Sequence, residues 1–95
     1  MSRPKNLQIF SGTSHPALAG AIAKELGLNL TPIDISRFAC GEIYTKPSHS
    51  VRGQDVYIVQ TATERVNEDL MELFIMIDAM KRSFARKVTV VLPHF

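Results

Sequence analysis

The apolar positions of this chain form runs of two kinds, some short and nearly continuous, others longer and periodic. Residues 55–59 (Asp55-Val56-Tyr57-Ile58-Val59) and 87–92 (Lys87-Val88-Thr89-Val90-Val91-Leu92) are of the first kind and read as buried strands. Between them, residues 67–84 carry apolar side chains at helical spacing, which predicts a helix about 27 Å long. A strand, a crossover helix and a second strand make one βαβ unit with its strands parallel. Asn67 is the expected N-cap, with Glu68 and Asp69 in the first turn and Lys81, Arg82 and Arg86 gathered toward the other end. Leu70, Leu73, Phe74, Ile77, Met80 and Phe84 form the main stripe, and Met71, Ile75, Met76 and Ala79 widen it beyond one face. Such a helix needs cover on a second side, from further chain or from another subunit. Its methionines read as packing rather than as cofactor contacts.

Everything before residue 54 is expected to extend the same sheet. Residues 7–10 form the first strand, ended by Ser11-Gly12-Thr13-Ser14. From Ser14 the period becomes helical, with Leu18, Ile22 and Leu26 on one stripe, Ser14 as N-cap, Pro16 in the first turn and Gly27 as the stop. A strand, a Ser/Gly loop and a helix amino terminus can hold a phosphate. This loop carries neither the Walker nor the dinucleotide fingerprint, so it reads first as a turn. Residues 31–37 and 41–46 predict two short strands joined by a hairpin-like loop, Phe38-Ala39-Cys40-Gly41. Pro47 stops extension of a central strand.

Composition narrows the field. Eleven basic and nine acidic residues in 95 give a net charge of +2, too balanced to imply a nucleic-acid surface. The single cysteine excludes an internal disulfide and a multi-cysteine metal cluster. No apolar span of membrane-crossing length occurs, because Glu72 and Asp78 interrupt the strongest run. The amino-terminal residues lack a secretory apolar region, so a soluble cytoplasmic protein is expected. His15, His49 and His94 are too scattered for a structural metal. His94 is the most suggestive of them, since it follows a parallel strand at the end where α/β proteins bind ligands. Phe38 and Glu42 bracket a tight loop in which a ring can stack on a base and a carboxylate can accept from an amino group. Ser50 and Arg52 are two residues apart and suit one phosphate, although a solvated turn would look the same.

Several segments together resemble ribose-phosphate pyrophosphokinase. They are Ile9-Phe10-Ser11-Gly12, Phe38-Ala39-Cys40-Gly41-Glu42-Ile43, Ser50-Val51-Arg52-Gly53-Gln54-Asp55-Val56-Tyr57, Asn67-Glu68-Asp69-Leu70-Met71-Glu72-Leu73 and Ile77-Asp78-Ala79. The resemblance runs end to end but covers only the front of that enzyme. It implies an α/β fold with a parallel, phosphoribosyltransferase-like sheet, incomplete here, and a β-hairpin-like extension. Residues 1–95 would then be the front part of an N-terminal domain, with the remainder of that domain and a whole C-terminal domain absent.

By the same resemblance, the full enzyme transfers the diphosphoryl group of ATP to the C1 hydroxyl of ribose 5-phosphate, giving phosphoribosyl diphosphate and AMP. It needs Mg²⁺, bound by residues beyond this chain, and assembles as homo-oligomers from dimers to hexamers. Phe38 would stack on adenine, Glu42 would help fix the adenine edge, and Cys40 would stand where the family has Asp or Asn, all toward the ATP of a neighbouring subunit. Ser50 and Arg52 would belong to a regulatory site for phosphate or ADP. The catalytic residues of the family would lie beyond Phe95, so this stretch alone is expected to be inactive. The alternative is a catalytically inactive regulatory or structural homologue that binds nucleotide or phosphate within a larger assembly. Neither reading involves nucleic acid or a membrane.

Overall fold

Among the described residues, three parallel strands carry two helices, one on each face. The structure, a computed structural model, describes residues 6–37 and 42–93. Among them the chain runs β1 (Leu7–Ser11), α1 (Pro16–Glu25), β2 (Ile33–Arg37), β3 (Ile43–Pro47), β4 (Asp55–Val59), α2 (Val66–Arg82) and β5 (Lys87–Val91). The sheet order is β1-β4-β5, with Leu7 beside Asp55 and Asp55 beside Lys87. The predicted βαβ unit is therefore present as β4-α2-β5, and β1 is added on its other side.

Alternation along the strands decides which helix each residue meets. Phe10, Val56, Ile58, Val88 and Val90 face α2, whereas Ile9, Tyr57, Val59 and Val91 face α1. Both faces of the central strand are thereby covered, and its near-continuous apolar sequence follows from that.

The hairpin does not extend this sheet. β2 and β3 pair antiparallel in a separate two-stranded sheet, Ile35 opposite Thr45 and Arg37 opposite Ile43. Its inward residues Ile33 and Ile35 pack with the α2 cluster instead of offering an edge to β1 or β5. Since residues 33, 35 and 37 share one face of the strand, Arg37 is carried toward α2 as well.

Both predicted N-caps fall elsewhere. His15 caps α1, its Nδ1 accepting from the Leu18 amide at 3.1 Å, while Ser14 is engaged across the sheet. Arg65 occupies the cap position of α2 without a side-chain bond, and Asn67 lies inside the first turn. The carboxylate of Asp69 reaches back instead, taking the Thr63 amide at 2.7 Å and the Thr63 hydroxyl at 2.6 Å.

The buried stripe of α2 is Asp69, Glu72, Leu73, Met76 and Met80. Compared with the predicted stripe it is rotated toward Met76. Leu70 and Ile77 flank it, while Phe74 and Phe84 are 59% and 66% exposed.

The ends of the two helices differ in kind. Gly27 stands at the left-handed position after α1 with φ 70°, and the Leu28 amide donates to Ala23 O at 2.8 Å. After α2 that position belongs to Phe84, with φ 64°. Its amide still donates to Lys81 O and that of Ala85 to Met80 O, both at 3.1 Å. A side chain in this conformation costs about 1–2 kcal/mol that glycine would not.

Candidate functional site

The loops that leave β1 and β4 meet at the carboxyl ends of the strands, where open parallel sheets bind ligands. They border a cleft of about 490 Å³ lined by Ser14, His15, Leu18, Thr61, Thr63 and Pro93. A buried carboxylate ties these two loops together. Glu72, fully buried on α2, accepts the Thr13 amide at 2.7 Å and Gln60 Nε2 at 2.8 Å on Oε2. Its Oε1 accepts the Thr13 hydroxyl at 2.7 Å and Arg37 Nη2 at 2.8 Å. These are four donors for a group with about four lone-pair sites, so Glu72 is saturated and serves neither as a general base nor as a metal ligand.

Gln60 completes the junction. Its Nε2 also donates to Asp69 O at 3.1 Å, and its Oε1 accepts from the amide and the hydroxyl of Ser14. The Ser14 hydroxyl in turn accepts the Thr61 amide at 2.8 Å. Gly12 lies directly against this amide, for a Cβ placed there would fall 2.1 Å from Gln60 Oε1. The Gly12-Thr13-Ser14 loop is thus locked to β4 and α2 by its hydroxyls and amides, and those groups are spent on structure. This supports its reading as a turn rather than a phosphate cradle.

None of Glu72, Gln60, Thr13 and Arg37 is apparent from the sequence as part of one cluster. One signal was available: Asp69 and Glu72 fall at helical spacing on the stripe that continues through Leu73, Met76 and Met80. Two carboxylates on a core stripe call for buried donors.

The residues expected to contact nucleotide fall in sequence between β2 and β3. Glu42 is exposed and immediately precedes β3, whereas Phe38 and Cys40 lie outside the described residues, as does His94. Ser50 and Arg52 come together, the Arg52 amide donating to Ser50 Oγ at 3.3 Å. They flank Val51, which plugs the α2 core, so the segment is anchored while its two polar side chains stay exposed. The Arg52 guanidinium lies over the Phe84 ring, 5.1 Å from its centroid. Beside them is a cleft of about 260 Å³ whose lining includes Lys46, Ser48, His49, Ser50 and Ser83. It begins at the end of β3 remote from Glu42, so the two regions are separated by the strand's length, about 15 Å. Among the described residues no three His, Cys, Asp or Glu side chains are grouped to hold a metal ion. No described helix is long and apolar enough to cross a membrane.

Residues 7–95 match the family described as the N-terminal domain of ribose phosphate pyrophosphokinase. Ribose-phosphate pyrophosphokinase 1, chloroplastic, of Arabidopsis thaliana is 55% identical over 94% of this chain. The crystal structure of phosphoribosylpyrophosphate synthetase from Mycobacterium smegmatis superposes on 96% of it with a TM-score of 0.90 and 44% identity. The purine phosphoribosyltransferase of Pyrococcus horikoshii shares the fold, with a TM-score of 0.66 at 15% identity over 92% of this chain and 58% of its own. The chain spans 22% of the length of the Arabidopsis relative and 30% of the mycobacterial one.

Proposed function

The chain belongs to the family of ribose phosphate pyrophosphokinase N-terminal domains, and from that premise we propose that the protein containing it transfers a diphosphoryl group from ATP to ribose 5-phosphate. In that reaction the C1 hydroxyl oxygen forms a bond to the β-phosphorus of ATP and gives up its proton, the bond from that phosphorus to the oxygen bridging it to the α-phosphorus breaks, and AMP leaves. The supporting observation is the 0.90 superposition on a phosphoribosylpyrophosphate synthetase at 44% identity. In this reading residues 1–95 are the front of an N-terminal phosphoribosyltransferase-like domain in a homo-oligomer. The described residues offer no fit for Mg²⁺, so no step is assigned to the ion on this chain.

Within the proposal, Phe38 stacks on adenine and Glu42 accepts from its amino group, in the nucleotide site of a neighbouring subunit. Ser50 and Arg52 bind phosphate or ADP as regulators. Positioning and charge dominate phosphoryl transfer, and the described residues supply no metal clamp, so residues 1–95 alone would turn over nothing. The test is release of AMP by the full-length protein given ATP, ribose 5-phosphate and Mg²⁺. Release that requires ribose 5-phosphate supports the reading. Binding of nucleotide without release overturns it in favour of an inactive homologue.

Cys40 sharpens the proposal. A thiol is a weak donor and acceptor, so it leaves the stacking on Phe38 and loses a bond to the base. Cys40→Asp in the full-length enzyme is expected to lower the KM for ATP by about fivefold, the worth of roughly one ordinary hydrogen bond. Initial-rate kinetics check this, and an unchanged KM would sink it.

A further inference from the structure

We propose that Phe84 is a positioning residue for Arg52, holding its guanidinium ready to receive inorganic phosphate at the cleft beside Ser50 and Ser83. The inference rests on the assignment of Ser50 and Arg52 to an anion site and names the residue that sets the geometry of that site. Three observations converge on it.

Arg52 sits at the second position of the turn 51–54, closed by the Gln54 amide donating to Val51 O at 2.9 Å, with Gly53 at φ 70°. Positive φ at the third position is the type II arrangement, and it fixes the backbone of the residue before it. That turn is in turn fastened to Phe84, because the Gly53 amide donates to Phe84 O at 2.9 Å. The ring then lies under the guanidinium, 5.1 Å from centroid to Cζ. Backbone and side chain of Arg52 are therefore both held by the same residue.

Phe84 has the conformation in which a bulky side chain is an outlier, and such outliers gather where function requires them. Its ring contributes little to the core, being 66% exposed. Retaining Phe where glycine relieves the backbone has its explanation in what the ring touches. A guanidinium held over a ring by cation–π attraction is restrained while its charge stays available to a phosphate. An arginine already held in place loses less freedom when the anion arrives. Lys46, Ser48, Ser50, Val51 and Ser83 line the cleft that adjoins this turn, Val51 and Ser83 being the chain neighbours of Arg52 and Phe84.

The experiment is calorimetric titration of the full-length protein with inorganic phosphate, comparing Arg52→Ala, Phe84→Gly and Phe84→Trp, with thermal unfolding of each. The exposed cation–π contact corresponds to a two- to fivefold change in affinity. Phe84→Gly is expected to weaken phosphate binding by that factor while its unfolding midpoint stays level or rises, since glycine accepts the left-handed backbone. Phe84→Trp is expected to retain the affinity. If Arg52→Ala weakens binding and Phe84→Gly does not, the positioning role is overturned and the anion site stands. If Arg52→Ala binds phosphate like the unmodified protein, the anion site itself fails and the inference fails with it.

Discussion

Glu72→Ala is expected to lower folding stability by about 3 kcal/mol, the lower end for breaking a buried, hydrogen-bonded ion pair. The substitution removes the common acceptor of the Thr13 amide, the Thr13 hydroxyl, Gln60 Nε2 and Arg37 Nη2. The Arg37 side chain is 38% exposed and can turn to water. Thr13 is likewise exposed and can be hydrated, but the Gln60 amide is buried, and an unmet buried donor costs about 1–3 kcal/mol before relaxation. Glu72→Gln keeps the volume and one acceptor oxygen, so about half that loss is expected. Urea unfolding of the full-length variants measures both, as a fall in midpoint at unchanged slope. A loss under about 1 kcal/mol for the alanine variant would mean that water replaces the carboxylate and that the junction is not sealed.

Gly12→Ala is expected to cost a similar amount, about 3 kcal/mol, for a steric rather than an electrostatic reason. The added methyl meets Gln60 Oε1 at 2.1 Å and Gln60 Cδ at 2.5 Å. A free glutamine would swing aside, but this one is 1% exposed and held by Ser14, Asp69 and Glu72. It must therefore surrender its bonds or push the β1–α1 loop off the sheet, and overpacking of this sort costs about 1–3 kcal/mol apart from the lost bonds. The mechanism predicts strong coupling, because in a Gln60→Ala background the methyl has room and Gly12→Ala becomes nearly neutral. A double-mutant cycle gives the answer. If the two losses simply add, the contact is not what makes glycine necessary at position 12.

The βαβ unit was legible in the sequence because buried parallel strands are apolar throughout and α2 has an unambiguous helical period. The resemblance identified the family, and the comparisons bear that out. The helix starts were harder to read. Ser14 and Asn67 are good caps by residue type, yet Ser14 accepts from Thr61 across the sheet, and Asp69 reaches back to Thr63 and leaves Asn67 without that role. Local preference could not foresee partners contributed by another element. The same limit hid the Glu72 junction, whose donors Thr13 and Arg37 lie 59 and 35 positions away. A pattern of apolar and polar letters treats such a carboxylate as surface, and this placed the stripe of α2 around Phe74 and Phe84 instead of Met76. The independence of the hairpin was hidden for a related reason. Strand alternation shows which residues share a face but not which element that face meets.

The sheet order β1-β4-β5 also has a consequence in time. Synthesis proceeds from the amino terminus, so β1 is made first, yet its neighbour in the sheet begins 48 positions later, from Leu7 to Asp55. At about 5–20 residues per second, translation takes on the order of 2–10 s to cover that interval. Throughout it Ile9 and Phe10, which finish 1% and 0% exposed, have no neighbouring strand of their own sheet. The growing chain thus carries two of its largest fully buried side chains as an open liability, closed only when β4 arrives.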